Sequence, residues 1–494
     1  MQTTRHHRHL ARGTVAGLIG TVGMGIVSFF LRRHWALTLA QADYGWFYST
    51  YTLFFITAIV VDLGGMNYST IAIAKHDDSG DREGASHIFF ATSLYKVLSG
   101  MVGTAVVWLL APWLAIRFQH EGAVSAIRLM AFFFPLFCLE GHLFAVLCSF
   151  KAFAVGYGVV LLKFSLILLA AMRLDSLIHI PPLLFILGSA ISCVVAMSYI
   201  IGCGKVEVSI RYCSLHGVGK YLVRGIWLAV FYISAQSVLY VDQLVATVLL
   251  GAAAVATYQV AVPIVQILYS LLVIVPTVGT PVLAAIWEKD DAEPVVAELC
   301  ATFLIAMVAL LWCALLATVP FGNLLIVLLF SAQFVEAGVL LPFLCAGVIF
   351  YIIAFYFFSA WNARGKNHIT SLIMLFGPLL NILLGIVLIP RLGLRGAAAG
   401  VFFAHAATCV AACVLLKVKM PSFRLSAGRL AYLSACGIVL LAPARHAGPV
   451  ETVLSRQAAL AAGALLVYLL LAAPAVIPRL RAVAARGAPP HPAS

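Results

Sequence analysis

The sequence predicts an all-α polytopic membrane protein with about fourteen transmembrane helices, and two observations lead to that prediction. Of its 494 residues, 63% are hydrophobic and only 10% are charged, with a mean hydropathy of +1.06. Most charges fall in short clusters between apolar runs of roughly 18–25 residues, the length that crosses a bilayer as a helix. An ordinary soluble domain is therefore excluded, and so is a β-barrel, whose short strands alternate polar and apolar residues.

Charged residues, prolines and glycines divide the apolar runs into predicted spans. The stretch from Pro320 to Glu336 is expected at the outer membrane interface, because residues 324–330 are too few to cross by themselves. The predicted spans, in chain order, are 13–31, 45–74, 86–110, 123–149, 154–172, 181–202, 222–250, 252–287, 294–319, 336–361, 368–389, 395–416, 428–443 and 457–476.

The distribution of positive charge predicts the orientation. With a cytoplasmic N-terminus, 20 of the 31 Lys and Arg residues fall in cytoplasmic segments and 8 on the opposite side, Arg32 and Arg33 among the latter. This bias favours cytoplasmic termini, and it assigns the net charge of +13 to loops at an anionic membrane surface rather than to nucleic acid. Tyr44, Trp46 and Tyr48, at the outer end of the second span, are expected to form an interfacial aromatic belt.

Neither the cysteines nor the loops predict a catalytic or metal site. The eleven cysteines lie mostly inside apolar runs, and Cys409 and Cys413 share a helix face without further ligands beside them. The loops are about 5–20 residues long, too short to house a catalytic domain. We therefore predict that the protein is not an enzyme, holds no metal and has no catalytic residue.

Several short stretches, spread over about residues 13–418, carry a family resemblance through their order and spacing. They are LAQADYGWF at 39–47, Asp62-Leu63-Gly64, LLGAAAVATY at 249–258, LFSAQF at 329–334, Asn381-Ile382 and IPRLGLRGAA at 389–398. Together they resemble the bacterial polysaccharide-transport flippases of the multidrug/oligosaccharidyl-lipid/polysaccharide exporter (MOP) superfamily. The last stretch, which resembles the signature between the eleventh and twelfth helices of that family, carries the most weight.

The resemblance implies two six-helix lobes around a central cavity, with two extra C-terminal helices. It also implies a function: moving polyprenyl-diphosphate-linked oligosaccharides across the bacterial inner membrane by alternating access, for exopolysaccharide, O-antigen or capsule synthesis. The expected partners are the lipid-linked oligosaccharide, membrane lipids, and a polysaccharide polymerase with its chain-length machinery. The predicted divisions are a basic tail at 1–12, lobes at 13–203 and 222–418, a linker at 204–221, two extra helices at 419–476 and a cytoplasmic tail at 477–494.

Three cations fall inside predicted spans, and all three lie in the N-terminal half. They are Lys96, Arg128 and Lys163. Because charge in hydrocarbon is costly, such residues are expected to face a cavity. The diphosphate of the implied substrate is anionic, so we expect the three side chains to contact it, Arg in a bidentate manner and Lys as a point charge. The alternative is that they form structural ion pairs with buried acids.

Acids and amides inside the spans are the other site candidates. Asp242 is expected to contact sugar hydroxyls, bind a coupling Na⁺ or H⁺, or pair with a base. Gln259 and Gln266 lie on one helix face, where amides suit sugar hydroxyls or neighbouring helices. Asp62 and Glu140 are candidates for gating or coupling, with structural pairing as the alternative. No other cofactor is predicted.

Three rival functions are consistent with the same sequence. A multidrug exporter is disfavoured by basic residues within the spans, because cationic drugs require acidic cavities. A peptidoglycan-precursor flippase would share both the fold and the anionic substrate. A membrane glycosyltransferase or polymerase would need a large external loop or an acidic metal site, whereas the acidic clusters at 77–83 and 288–293 fall in short cytoplasmic loops.

Overall fold

A computed structural model of the chain describes it over eight ranges. Nearly all of the described residues are helical, and no strand occurs within these ranges, which confirms the predicted all-α class. The described ranges are 2–62, 65–174, 177–215, 218–237, 240–288, 291–364, 367–444 and 463–478.

Eighteen α-helices follow one another along the described ranges. In the first half they are α1 Gln2–Thr38, α2 Gln41–Asp62, α3 Gly65–Asp78, α4 Arg82–Arg117, α5 Val124–Ala131, α6 Phe133–Ser149, α7 Phe153–Ala171, α8 Ile180–Gly202, α9 Val218–Ser237 and α10 Val241–Leu250. In the second half they are α11 Ala252–Leu272, α12 Ile274–Trp287, α13 Ala292–Leu329, α14 Leu341–Asn362, α15 Asn367–Leu392, α16 Leu394–Lys419, α17 Ala427–Ala444 and α18 Gly463–Pro478.

The number of helices able to cross a membrane is nine within the described ranges, or up to eleven if two bent pairs each make one span. One pair joins Glu121–Ala131 to α6 at 42°. This count is lower than the predicted fourteen partly because α17 and α18, at the two last predicted spans, are shorter apolar helices. The predicted span 45–74 corresponds to α2 and α3, and residues 63–64 between them lie outside the described ranges.

Two segment boundaries differ from the sequence prediction. Residues 324–329 do not form a separate interfacial segment, because α13 continues through Pro320 to Leu329. Membrane helices tolerate proline when neighbouring groups satisfy the freed carbonyl. Pro320 therefore does not mark the end of a helix here. Likewise α1 continues to Thr38, so Arg32 and Arg33 lie within a helix rather than in an outer loop.

The chain packs into two compact units. The first contains Met1–Ser270 and Pro378–Ala397, and the second contains Leu271–Gly377 and Ala398–Ser494. In the first unit α1 packs on α7, α4 on α6, and α2 on both α9 and α10. In the second unit α13 packs on α14 and α17. The lobe division that the resemblance implies, with its linker at 204–221, stays a prediction.

Small residues bring the helices of the first unit close together. A β-carbon added at Gly103 of α4 would lie 2.0 Å from Phe134 of α6, and one at Gly100 would lie 2.5 Å from Pro135. Such close approach is typical of membrane helix interfaces, where packing rather than hydrophobicity drives association. A buried apolar cluster built around Phe89, Leu143 and Ile200 fills the space among α3, α4, α6, α7 and α8.

Candidate functional site

The most unusual side chain of the first unit is Arg32, in the next-to-last turn of α1. It is 8% exposed, and its guanidinium carbon lies 4.5 Å from the centre of the Tyr48 ring of α2. Its Nη1 is buried and has no hydrogen-bond partner among the described residues. A cation stacked on an aromatic face keeps its N–H groups available in the guanidinium plane.

Four tyrosines lie in the neighbourhood of this guanidinium, which stacks on the ring of Tyr48. Arg32 is close enough to Tyr44, Tyr48, Tyr51 and Tyr240 for its charge to act on each hydroxyl. Tyr44 is fully buried and Tyr48 is 3% exposed. The predicted interfacial belt is therefore wrong for these residues, because α2 turns its tyrosines into the unit and not towards the membrane surface.

The aromatic surface continues past Arg32 as a wall made of Tyr51, Phe55, Phe137 and Tyr240. Phe55 lies 4.6 Å from Tyr240 and 6.1 Å from Phe137, centre to centre, and Tyr51 lies 5.9 Å from Phe137. All four side chains are half-buried. This aromatic wall therefore offers ring faces and edges beside a buried cation, drawn from α2, α6 and the start of α10.

Three acids of the first unit are committed to other partners. His120 lies 2.7 Å from Asp43, Lys163 lies 2.7 Å from Glu140, and the Tyr258 hydroxyl donates to Asp242. Within the described part of the chain, Arg32 forms no ion pair with a carboxylate. A buried charge without a counter-ion is strongly unfavourable, and in a membrane protein it is a functional-site candidate by default.

Glu140 and Lys163 form a buried ion pair in which the Glu140 carboxylate accepts three hydrogen bonds. Lys163 Nζ donates to Glu140 Oε2 at 2.7 Å, Ser189 Oγ donates to the same oxygen at 2.8 Å, and Ser192 Oγ donates to Oε1 at 3.0 Å. The Lys163 ammonium also lies 5.0 Å from the Phe164 ring. The structure thus contains the structural pairing that the sequence left open. Contact of either side chain with substrate stays a prediction.

The other two predicted cations lie among different neighbours. Lys96 is buried between α4 and α6, near Cys138 and His142. Arg128 of α5 is half-buried, and its guanidinium carbon lies 4.4 Å from the centre of the Trp108 ring. Lys96, Arg128 and Lys163 therefore have three separate sets of contacts. Their predicted role in phosphate binding stays a prediction.

A polar seam joins α2 to α10 and α11, and we define it as Ser49, Thr52, Gln243, Thr247 and Gln259. The Ser49 and Thr247 hydroxyls lie 2.7 Å apart. Gln243 Oε1 accepts from Thr52 Oγ1 at 3.1 Å and from Gln259 Nε2 at 3.1 Å. All five side chains are buried, and hydrogen bonds between helices take the place of water. Gln259 Oε1 is the exception, because it has no hydrogen-bond partner among the described residues.

The remaining candidates lie next to this seam or outside the described residues. Asp242 is buried and accepts from the Tyr258 hydroxyl. Gln266 is half-buried and reaches the Tyr240 hydroxyl at the aromatic wall. Asp62 is the last residue of α2, and its side chain lies outside the described part of the structure. The binding and gating roles assigned to these residues stay predictions.

The loop after α3 is tied down by ion pairs. The Asp81 carboxylate caps α4 by accepting from the Gly84 N–H at 2.8 Å, and it lies 2.8 Å from His76 Nδ1. These contacts, the Gly84 bond first, hold the pKa of Asp81 below its ordinary value. Three further pairs link the loop to later segments: Asp78 with Lys151 at 2.6 Å, Asp77 with Lys205 at 2.7 Å, and Glu83 with Arg211 at 3.3 Å.

Solved structures of the MOP superfamily have the same fold as this chain. An inward-facing multidrug resistance MATE family transporter gives a TM-score of 0.68 at 14% identity, covering 83% of this chain and 98% of that one. The lipid II flippase MurJ in an inward closed conformation gives 0.70 at 14% identity, covering 94% and 100%. A MOP superfamily transporter from Pyrococcus furiosus gives 0.59 at 16% identity, covering 83% and 96%. At these identities the likeness establishes the fold class.

The sequence itself establishes the family. The profile of the polysaccharide biosynthesis protein family matches residues 10–287, more than half of the chain, and the chain belongs to that family. The resemblance to polysaccharide-transport flippases is thereby confirmed. An uncharacterised membrane protein of Methanocaldococcus jannaschii is 28% identical over 182 residues, which cover 37% of this chain and 36% of that protein. The matched stretch therefore spans about a third of that relative's length.

Proposed function

We propose that the chain is a flippase that moves polyprenyl-diphosphate-linked oligosaccharide repeat units across a bacterial inner membrane, for exopolysaccharide, O-antigen or capsule synthesis. Family membership and fold support the transport of a lipid-linked glycan. The single observation that carries the proposal is Arg32, a buried guanidinium with no carboxylate partner among the described residues. An anionic headgroup would supply the missing counter-charge.

The surroundings of Arg32 suit both parts of such a headgroup. The in-plane N–H groups of a guanidinium bind two phosphate oxygens at once, which a lysine ammonium does not reproduce. The aromatic wall presents half-buried rings of Tyr51, Phe55 and Phe137. Sugars pack their C–H faces on such rings, as ligands commonly do in pockets with mostly aromatic lining. Lys96, Arg128 and Lys163 are kept in the proposal as further cations.

Alternating access is the proposed mechanism. With cytoplasmic termini, the Gln41 end of α2 and the Gly251 turn lie on the periplasmic side. The polar seam would then close the periplasmic side and part when the headgroup is released. Asp242, beside the seam, is the proposed site of a coupling Na⁺ or H⁺, and Asp62 and Glu140 are further coupling candidates. A polysaccharide polymerase with its chain-length machinery would take the released repeat unit.

The test uses the native strain with the gene deleted and then restored. Arg32→Gln is expected to lower surface polysaccharide at least about tenfold, and lipid-linked oligosaccharide is expected to accumulate in the membrane. The reason is that the substitution removes a charged hydrogen bond to the headgroup, which is worth about 1.5–3 kcal/mol. Arg32→Lys is expected to retain part of the function. Arg173→Gln, a change at an exposed arginine of the same unit, serves as the control and is expected to behave as wild type.

The identity of the accumulated lipid separates the rival functions. Normal polysaccharide with well-expressed Arg32→Gln would contradict the role of Arg32. Accumulation of a lipid-linked peptidoglycan precursor on gene deletion would instead identify a peptidoglycan-precursor flippase. Loss of the lipid-linked glycan itself would indicate a glycosyltransferase, whereas its accumulation in the periplasmic leaflet would indicate a polymerase, which consumes it there. Drug sensitivity without any lipid accumulation would indicate a multidrug exporter.

A further inference from the structure

Two arginines near the Arg117 end of α4 each lie over a tryptophan ring. The guanidinium carbon of Arg128 is 4.4 Å from the centre of Trp108, and that of Arg117 is 5.5 Å from Trp113. Trp108 is 41% exposed and Trp113 is 51% exposed. In contrast to the buried Arg32–Tyr48 pair, these two guanidinium–indole pairs lie on the surface of the first unit.

The length of α4 places these pairs at a membrane boundary. At about 1.5 Å per residue, its 36 residues extend over about 54 Å. The hydrocarbon core of a bilayer is only about 30 Å thick. The first turn of α4 belongs to the polar loop around Asp81, so the excess length carries the last turns of α4 into the lipid headgroup layer at the other end.

The surface around the pairs is apolar. Leu109 is 69% exposed, Ile116 is 61% exposed and Leu110 is 45% exposed. In the apolar 18-residue stretch of α4, only 28% of the residues are buried inside the protein. The helix therefore presents to lipid a face on which acyl chains can pack, and the arginines lie where those chains meet their headgroups.

The positive charge of both pairs is uncompensated. Among the residues that the structure describes, neither Arg117 nor Arg128 forms an ion pair with a carboxylate. Glu121, four residues after Arg117, is exposed and pairs with neither. The face of each guanidinium is covered by an indole ring, so its charge is left to be balanced at the outer edge.

We infer that the two guanidinium–indole pairs bind the phosphates of anionic phospholipids in the leaflet at the Arg117 end of α4. The indole fixes the plane of each guanidinium, and the N–H edge that remains free donates to phosphate oxygens. The inference goes beyond the proposed transport function, because it concerns bulk lipid at the perimeter; for Arg128 it is the alternative to the headgroup contact proposed above.

Tryptophan fluorescence quenching tests this inference directly. The full chain is reconstituted in phosphatidylcholine vesicles to which brominated phosphatidylglycerol or brominated phosphatidylcholine is added in increasing fractions. We expect phosphatidylglycerol to quench several-fold more effectively per mole than phosphatidylcholine at low salt, with the difference shrinking as salt rises. In Trp108→Phe/Trp113→Phe, which keeps six of the eight tryptophans, the lipid-selective part is expected to disappear.

Charge variants then separate the phosphate site from an ordinary aromatic belt. The tryptophan fluorescence of Arg117→Gln/Arg128→Gln is expected to be quenched equally by both brominated lipids. Arg117→Lys/Arg128→Lys is expected to keep part of the preference for phosphatidylglycerol. Arg395→Gln, a change at an exposed arginine of α16, is the matched control. Equal quenching by both lipids in the wild type overturns the inference. So does displacement of brominated phosphatidylglycerol by equimolar polyprenyl diphosphate but not by unlabelled phosphatidylglycerol, since that would assign the site to the carried lipid.

Discussion

Gly45 of α2 lies directly against the backbone of Ala252, the first residue of α11: a β-carbon added at Gly45 would be 1.8 Å from the Ala252 carbonyl oxygen. This contact lies at the end of the polar seam where α10 turns into α11. The turn is itself fixed, because Gly251 has a positive φ of 84° and the Ala252 N–H donates to the Phe118 carbonyl at 2.8 Å.

Gly45→Ala is therefore expected to prevent the closed arrangement of the seam. No rotamer relieves a clash between a β-carbon and a backbone carbonyl, so the helices must separate, at a cost of about 1–3 kcal/mol. The measurement is the labelling of Thr52→Cys, in a background without native cysteines, by a membrane-impermeant thiol reagent. Labelling is expected to rise severalfold. Gly141→Ala, where an added β-carbon meets nothing within 4 Å, should leave labelling unchanged; equal labelling in both variants would refute the prediction.

The Glu140–Lys163 pair yields a prediction about stability. Glu140→Gln leaves the Lys163 ammonium buried without a counter-charge, and loss of one partner of a buried pair costs about 3–5 kcal/mol. Lys163 is 3% exposed, so water cannot replace the lost carboxylate. The thermal midpoint in detergent is expected to fall strongly for Glu140→Gln and for Lys163→Met.

The double variant Glu140→Gln/Lys163→Met supplies the control for this pair. It removes both charges together, so we expect it to be more stable than either single variant. If the losses of the two single variants simply add, the pair is not coupled and the structural interpretation fails. If stability recovers while surface polysaccharide stays absent, Lys163 or Glu140 has a role in transport besides pairing.

The helix cap at Asp81 predicts a dependence on pH. The Gly84 N–H and His76 hold the pKa of Asp81 below 3.8, its ordinary value. A carboxylate whose pKa is lower in the folded state stabilises that state above its unfolded pKa, and the effect is lost as pH falls through the folded pKa. The thermal midpoint of the wild type should therefore exceed that of Asp81→Ala at pH 5–7.

Below about pH 4 this difference is expected to shrink, since protonation removes the same cap that the substitution removes. Asp81→Asn is the control, because an amide oxygen can still accept from the Gly84 N–H without titrating. Its difference from Asp81→Ala should stay constant across the range. A wild-type advantage that persists undiminished at pH 2 contradicts the assignment of the cap to the ionised carboxylate.

The sequence predicted much of the fold but little of the site. Apolar runs between charge clusters define membrane helices because the hydrocarbon thickness sets their length. Short motifs such as LAQADYGWF, which lies within the matched residues 10–287, were sufficient to identify the family. The helix end predicted at Pro320 is wrong, because α13 continues through this proline. The span end predicted before Arg32 is also wrong. The stretch RRHWALT contains no glycine or proline, and α1 continues through it to Thr38.

The site depends on contacts between residues far apart in the chain. Glu140 is 23 residues from Lys163 and 49 from Ser189, and hydropathy gives no register between their helices. The sequence therefore identified Lys163 and Glu140 as unusual but could not decide that they pair. The sequence did not predict the polar seam for the same reason. Ser, Thr and Gln are common in apolar runs, and only the packing of the helices brings Thr52 to Gln243. One feature of the sequence could have placed Arg32 inside a helix: the residues on both sides of it are compatible with a helix.

A reversible cross-link across the seam tests whether it must open during transport. The Ser49 and Thr247 hydroxyls lie 2.7 Å apart on α2 and α10, so Ser49→Cys/Thr247→Cys should form a disulfide under mild oxidation once the eleven native cysteines are replaced. In proteoliposomes loaded with lipid-linked oligosaccharide, the oxidised double variant is expected to lose at least about 90% of its transport, because a covalent bond between the helices prevents their separation. Reduction should restore the rate, and each single-cysteine variant should be insensitive to oxidant. Undiminished transport by the fully cross-linked protein would show that α2 and α10 stay together throughout the cycle, and the opening would then have to lie elsewhere.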